Sequence, residues 1–112
     1  DVYTVDWQGF PVCSYRFWWP ITEAIGTAHF LSQITNESQY KEAYEHLWNF
    51  ADQYFIDHDY GVWFYELDDN LHPVSRTWFG KPDLYHVYQA ALYCDVSYKD
   101  GFAQGLINKS NF

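Results

Sequence analysis

The chain has 112 residues, a formal net charge of −9 and 48% hydrophobic residues, which fits one small folded domain and excludes a disordered chain. Its six Lys and Arg residues are too few and scattered to suggest nucleic acid or an anionic membrane surface as a partner. No apolar run approaches the roughly 20 residues of a membrane span. The aromatic content of 23% predicts either a densely packed helical core or the walls of a sugar-binding cleft.

The sequence begins at Asp1 and contains no methionine, so we interpret it as a processed chain, an excised segment or a partial reading of a longer gene. We find no targeting pattern and expect a cytoplasmic location. Cys13 and Cys94 are predicted to be buried free thiols, with a single disulfide as the alternative. Neither cysteine has a His or Cys at ligand spacing, so no metal site is predicted.

The first elements in chain order are an extended lead-in over 1–15, containing a small hairpin, and a helix over 18–36. One shoulder of this helix carries Trp19, Glu23, Gly26 and Phe30. The Glu23 side chain has no Lys or Arg within reach on the helix. It is therefore either an exposed carboxylate or one that lines a cleft, with Trp19 as a stacking wall one turn before it.

A second helix is predicted to run to about residue 55 and to pack on the first as an αα-hairpin. The break over 57–61 superficially resembles a metal loop, but it lacks the spaced carboxylates of a calcium site. A β-hairpin is then predicted within 58–79, between the helices. A weaker pattern over 101–108 predicts a short final helix.

The stretch 80–92 predicts a further helix with Pro82 at its first position, where a missing N–H costs nothing. Leu84, Tyr88, Ala91 and Leu92 form its main apolar stripe, and His86 is predicted to point away from that stripe. On its own, such a histidine is more often an exposed or hydrogen-bonded helix residue than a catalytic one.

Three segments together are similar to the N-acylglucosamine 2-epimerase family. Residues 18–26 resemble its Trp-x-x-x-Glu-Ala segment, 61–68 its Gly-x-Trp-Phe-x-x-Leu-Asp hairpin, and 80–86 the segment of its last catalytic histidine. Their order and spacing agree with the family. The Gly-Lys-Pro-Asp form of the third segment resembles the aldose–ketose isomerase branch, which holds the mannose and sulfoquinovose isomerases.

The resemblance implies an all-α fold, namely the C-terminal segment of an (α/α)6 barrel (a six-hairpin toroid) with a small β-hairpin insertion, as a single region over 1–112. It implies that His86 and Glu23 are catalytic, with Glu23 either binding a sugar hydroxyl or supporting its neighbouring histidine. It also implies that Trp19, Lys81 and Asp83 bind substrate. The implied reaction interconverts an aldose and a ketose of a mannose-like hexose through a cis-enediol, without cofactor or metal. The second histidine and an arginine of the family lie in segments that this sequence does not contain.

Two alternatives stay open from the sequence. The first is an N-acylglucosamine or cellobiose 2-epimerase. The second is a non-catalytic carbohydrate-binding module or an inactive remnant. The partner that the isomerase interpretation predicts is a monosaccharide substrate. If neighbouring barrel helices are missing, their uncovered contact faces would favour self-association, and we expect the isolated chain to be inactive.

Overall fold

The computed structural model describes residues 3–97, 99 and 101–110, and these are mostly helical. Their helices are α1 (Trp18–Thr35), α2 (Ser38–Phe50), α3 (Leu84–Tyr93) and α4 (Phe102–Ser110). Their short strands are β1 (Thr4–Val5), β2 (Pro11–Cys13), β3 (Arg16–Phe17), β4 (Glu66–Leu67) and β5 (Pro73–Val74). The predicted helices are all present. Residues 1 and 2 of the predicted lead-in lie outside the described residues.

The first two helices form the predicted αα-hairpin. α1 ends at Asn36, whose left-handed backbone (φ 58°) turns the chain while its N–H donates to the carbonyl of Ser32. α2 then continues into a π-helical turn over Ala51–Phe55. Its aromatic and aliphatic stripe packs inward as predicted, and its charged side chains face solvent.

Two small antiparallel sheets flank the helices. β1 and β2 form a hairpin at the start of the described chain, turning through Gly9 at φ 87°. The second sheet has the order β3-β4-β5, with β3 placed immediately before α1. The sequence predicts a hairpin from β4 and β5 but not the addition of β3, because two residues are too few to show a strand period.

The core lies where the second sheet meets α1 and the π-helical turn. Its largest members are aromatic, and several are entirely shielded from solvent. The buried side chains of this cluster are Phe17, Trp18, Ile21, Ile25, Ala51, Phe55, Trp63 and Leu67. A large part of the aromatic content therefore serves packing, which is the first of the two interpretations of the composition.

The orientation of α3 differs from the prediction. Leu84 and Tyr88 are 65% and 62% exposed, whereas Ala90 is 1% exposed and faces α1. The predicted apolar stripe is therefore on the outside, because small Ala90 and Gly26 permit a closer approach between the helices than a stripe of long side chains would. The predicted place of Pro82 is also wrong, since α3 begins at Leu84.

Candidate functional site

The seam between α1 and α3 brings His86 and Glu23 into contact. The His86 Nδ1 atom lies 2.8 Å from Glu23 Oε1, across 63 positions of sequence. The two side chains are 27% and 42% exposed respectively. Since an ionised carboxylate only accepts hydrogen bonds, Nδ1 carries the proton and donates it to Glu23. Within the described part of the chain, Nε2 has no protein hydrogen-bond partner. In the neutral imidazole, the lone pair of Nε2 is therefore available to a bound molecule.

Aromatic rings surround the imidazole of His86 on several sides. The Trp19 ring lies 6.2 Å from it at an interplanar angle of 38°, and the Trp18 ring lies 6.0 Å away, nearly perpendicular. The ring of Tyr85 is closer, at 4.8 Å. These ring contacts restrict rotation of the imidazole. The structure thus brings together three of the sequence-predicted site residues, namely His86, Glu23 and Trp19.

The close approach of α3 to α1 depends on Gly26. A Cβ atom added at Gly26 would lie 2.9 Å from Cε2 of Tyr93 and nearer still to its Cδ2. The Tyr93 hydroxyl accepts a hydrogen bond from the amide of Gln89. Burial raises the pKa of Tyr93, and the negative charge of Glu23 raises it further. The seam therefore keeps the Tyr93 phenol neutral beside the Glu23 carboxylate.

The side chains of Lys81 and Asp83 have partners away from this seam. Lys81 pairs with Asp57, and Asp83 is the N-cap of α3, accepting the backbone N–H of Tyr85 at 2.8 Å. In the described residues no hydrogen bond or ion pair joins either side chain to His86. Their roles in substrate binding stay predictions.

Trp19 also lines a cavity of about 160 Å³, together with Tyr3, Tyr15, Arg16 and neighbouring residues. The Tyr3 ring lies 6.0 Å from that of Trp19 at 87°. His86 does not line this cavity. Trp19 thus stands between an aromatic hollow and the His86–Glu23 pair, which itself opens to the surface.

Sequence reasoning did not find Trp18 as a contributor to the site, nor Asp57 as the partner of Lys81. Trp18 follows β3 directly, and its neighbour Trp19 carried the only signal that was recognised. Asp57 belongs to the 57–61 break that superficially resembles a metal loop. Across the residues that the structure describes, no three His, Cys, Asp or Glu side chains are grouped as metal ligands.

Cys13 and Cys94 are both free and half-buried. The Cys94 Sγ accepts a hydrogen bond from the Tyr44 hydroxyl at 3.0 Å, beyond the end of α3. Burial, followed by the interaction with Cys94, raises the pKa of Tyr44 to about 12. The cysteines are therefore free thiols, as predicted, but they are half-buried where full burial was expected.

The family model for N-acylglucosamine 2-epimerase (GlcNAc 2-epimerase) matches residues 1–90 of this chain. The chain therefore belongs to the N-acylglucosamine 2-epimerase family, in agreement with the three motifs. Among curated relatives it is similar to D-mannose isomerase from Pseudomonas cannabina pv. alisalensis, with 46% identity over 91 residues. It is 44% identical over 90 residues to D-mannose isomerase from Thermobifida fusca.

These matches cover 81% and 80% of this chain but 22% of each relative, so the chain spans about a fifth of their length. Among solved structures, a crystal structure of D-mannose isomerase superposes with a TM-score of 0.74 at 24% identity, over 83% of this chain and 24% of that one. Cellobiose 2-epimerase from Spirochaeta thermophila DSM 6192 gives 0.68 at 24% identity, over 78% and 22%. At this identity, the structural matches establish a shared fold. No helix in the described ranges combines the length and apolarity needed to cross a bilayer.

Proposed function

We propose that this chain is the C-terminal part of a sugar isomerase with an (α/α)6 barrel, and that the barrel interconverts a mannose-like aldose and its ketose. The contact between His86 Nδ1 and Glu23 Oε1 at 2.8 Å carries the proposal. The curated relatives at 46% and 44% identity are named D-mannose isomerase, which supports this substrate class. The chain supplies one part of the site, and other segments supply the rest.

In the proposed reaction, Nε2 of His86 exchanges a proton with the sugar at the C1–C2 bond. Loss of a proton from C2 of the aldose gives a cis-enediol, and return of a proton at C1, with a hydroxyl proton moving between the two oxygens, gives the ketose. Histidine suits both directions, because an imidazole ordinarily titrates near pH 6.5 and serves as base and then as acid. The reaction balances without an external oxidant or reductant, because C1 is reduced from an aldehyde to an alcohol while C2 is oxidised from an alcohol to a ketone.

Glu23 acts on this reaction through the imidazole. By accepting the Nδ1 proton it fixes the tautomer in which Nε2 is the free base, and it stabilises the imidazolium formed after proton abstraction. Trp19 is proposed as a stacking wall for the sugar ring, because its own ring is tilted by 38° to that of His86 at 6.2 Å.

A 2-epimerase is the second candidate, and the structural match to cellobiose 2-epimerase at a TM-score of 0.68 favours keeping it. Isomerisation and 2-epimerisation share the abstraction of the C2 proton and differ in the carbon that receives the returned proton. His86 and Glu23 would serve the first step equally in both. Product analysis with mannose therefore separates fructose, the isomerase product, from glucose, the epimerase product.

The test uses the complete enzyme that carries this chain, with His86→Gln, Glu23→Gln and Trp19→Ala. Loss of one positioned acid–base group typically lowers the rate by about 10²- to 10⁴-fold, and we expect His86→Gln to fall in this range. Glu23→Gln keeps an acceptor for Nδ1–H but loses the charge, so its loss in kcat should be smaller. His46→Gln, an exposed histidine of α2, is the matched control and should be neutral.

Intact turnover in His86→Gln together with lost sugar binding in Trp19→Ala would instead identify a carbohydrate-binding module. The isolated 112-residue chain is proposed to be inactive and to self-associate, since Leu84, Tyr85 and Tyr88 are each more than 60% exposed on one helix. Isomerisation by this chain at the rate of a complete relative would contradict that part of the proposal.

A further inference from the structure

One ion pair joins the loop after α2 to the turn before α3. Asp57 is 8% exposed, and its Oδ2 atom accepts a hydrogen bond from Lys81 Nζ. The Oδ1 atom of Asp57 accepts the backbone N–H groups of Asp59 and Tyr60, each at 3.0 Å. The Lys81 ammonium also lies 4.2 Å from the centroid of the Phe64 ring. Both charged groups therefore have several fixed contacts, unlike the single loose contact of an ordinary surface pair.

The charges of this pair are present at neutral pH. The hydrogen bond from Lys81 holds the pKa of the Asp57 carboxyl below its usual range, and the N–H of Tyr60 lowers it further. The ammonium gains both a carboxylate and the negative face of the Phe64 ring. The Lys81 ammonium is therefore held by contacts within the protein and is not free to bind a ligand.

The turn held by this pair leads directly to His86. Lys81 is followed by the buried Pro82 and by Asp83, the N-cap of α3. His86 is the third residue of the helix, so fewer than two helical turns separate it from the ion pair. Residues 81–83 precede the helix, and Asp83 is joined to its first turn by the hydrogen bond from the Tyr85 N–H, so a displacement of residues 81–83 would shift the start of α3 and with it the imidazole.

We propose that Asp57 and Lys81 are positioning residues whose ion pair fixes the start of α3 and so places the His86 imidazole against Glu23 and Trp19. The kinetic consequence rests on the proposed function, whereas the structural consequence does not. This role differs from direct contact of Lys81 with substrate, which the sequence motif implied.

The kinetic test uses Lys81→Met, Asp57→Asn and the double variant in the complete enzyme. Asn keeps the acceptor for the two backbone N–H groups while removing the charge. Misplacement of a catalytic group by about 1 Å costs on the order of 10²-fold in rate, so kcat should fall by about 10- to 100-fold with KM within about twofold. The double variant should be no slower than the slower single variant, since the two residues act as one unit.

The chain offers a matched control in an ion pair between α4 and the loop that follows α3. Lys109 Nζ lies 3.1 Å from Asp95 Oδ1, and both side chains are more than half exposed. Lys109→Met and Asp95→Asn should leave kcat within about twofold of the unmodified enzyme. Lys81→Arg should recover part of the lost kcat, because a guanidinium also pairs with a carboxylate, and Asp57→Asn tests the loss of the pair if Lys81→Met does not fold.

A second readout separates this inference from the proposed function. In the 112-residue chain, the imidazole Nδ1–H signal in NMR spectra reports the hydrogen bond of His86 to Glu23. Lys81→Met and Asp57→Asn should lose or shift this signal, and Lys109→Met should keep it. If the complete enzyme turns over no sugar, the proposed function fails, while this measurement still decides the positioning role.

Two results would overturn the inference. The first is a Lys81→Met variant with a raised KM, an unchanged kcat and no counterpart effect in Asp57→Asn, which would identify Lys81 as a direct substrate ligand. The second is an unchanged Nδ1–H signal in both folded single variants, which would show that α3 keeps its place without the ion pair.

Discussion

Glu23 and Glu66 have the same carboxylate side chain, but Glu23 lies in the partly exposed α1–α3 seam and Glu66 lies in the buried strand β4. Glu66 is fully buried in β4, where its Oε1 atom accepts the backbone N–H groups of Arg76 and Thr77. Glu23 is 42% exposed in the α1–α3 seam, where its Oε1 atom accepts a hydrogen bond from a histidine side chain. The partner thus distinguishes them, since a backbone N–H never titrates and an imidazole does.

The difference shows which carboxylate serves folding and which is available for chemistry. The hydrogen bonds of Glu66 fix the course of the chain after β5. This segment leads to Trp78, whose ring lies 5.3 Å from that of Trp18. Trp18 in turn stands 6.0 Å from His86. The second sheet and the segment after it therefore support His86 through Trp78 and Trp18, while the His86–Glu23 pair itself is partly exposed.

The largest expected effect that tests this comparison is on stability. Glu66→Ala removes the buried acceptor of two partly buried backbone N–H groups and leaves a cavity in its place, which should lower the free energy of unfolding by about 3 kcal/mol. Glu23→Ala removes only a half-exposed pair and should cost about 1 kcal/mol or less. Urea denaturation of both variants measures the difference.

Glu66→Gln is the control, because its amide oxygen can still accept both N–H groups. It should cost less than Glu66→Ala. Equal losses in Glu23→Ala and Glu66→Ala would remove the distinction between a structural and a functional carboxylate.

An intermediate effect concerns the distance between α1 and α3. Gly26→Ala places a methyl group against the Tyr93 ring, and such overpacking should cost about 1–3 kcal/mol. In a Tyr93→Ala background the same substitution meets no ring. It should then stabilise the chain by up to about 1 kcal/mol, the gain expected for Ala over Gly within a helix.

Thermal or urea unfolding of the unmodified chain, the two single variants and the double variant measures this change in the sign of the stability effect. If Gly26→Ala costs the same in both backgrounds, the glycine does not set the separation of the helices.

The smallest expected effect is the alkaline behaviour of Tyr44, at the far end of the seam. Its pKa is about 12 in the folded chain and about 10 in an unfolded one. A folded-state pKa above the unfolded value gives stability that is complete below pH 10 and is lost as the pH rises towards 12. Tyr44→Phe should remove this contribution, so its stability should decline less between pH 10 and 12.

The decline is followed by circular dichroism at fixed urea concentration. An identical slope for Tyr44→Phe and the unmodified chain would contradict the assigned environment of Tyr44.

Most of the helices can be predicted from the sequence, because hydrophobic periodicity indicates the buried face of a helix when its apolar residues lie on one side. α2 is the clearest case, since its polar positions such as Lys41 and Glu45 are exposed. The shoulder of α1 was also informative, because Trp19, Glu23 and Gly26 all face α3. Spacing alone left the state of Glu23 undecided, and only the partner from α3 decides it.

The face of α3 was predicted incorrectly, because long apolar side chains usually mark the buried side of a helix. Here Leu84 and Tyr88 lie outside, and small Ala90 is buried under the neighbouring helix. The start of α3 was also misplaced, since the capping hydrogen bond of Asp83 determines it more strongly than the fixed φ of Pro82. The first error arises from long-range contacts that no local window contains, whereas the second arises because the capping signal of Asp83, directly before the helix, was overlooked.

The π-helical turn at Ala51–Phe55 has a consequence for the comparison of homologues. The Ile56 N–H donates to the carbonyl of Ala51 at 2.9 Å, a spacing that accommodates one more residue per turn than an α-helix. A relative that lacks this widened turn would have one residue fewer before the equivalent of Asp57. A single-residue gap in an alignment at this point would then mark a change of helical geometry, with every following side chain kept in phase.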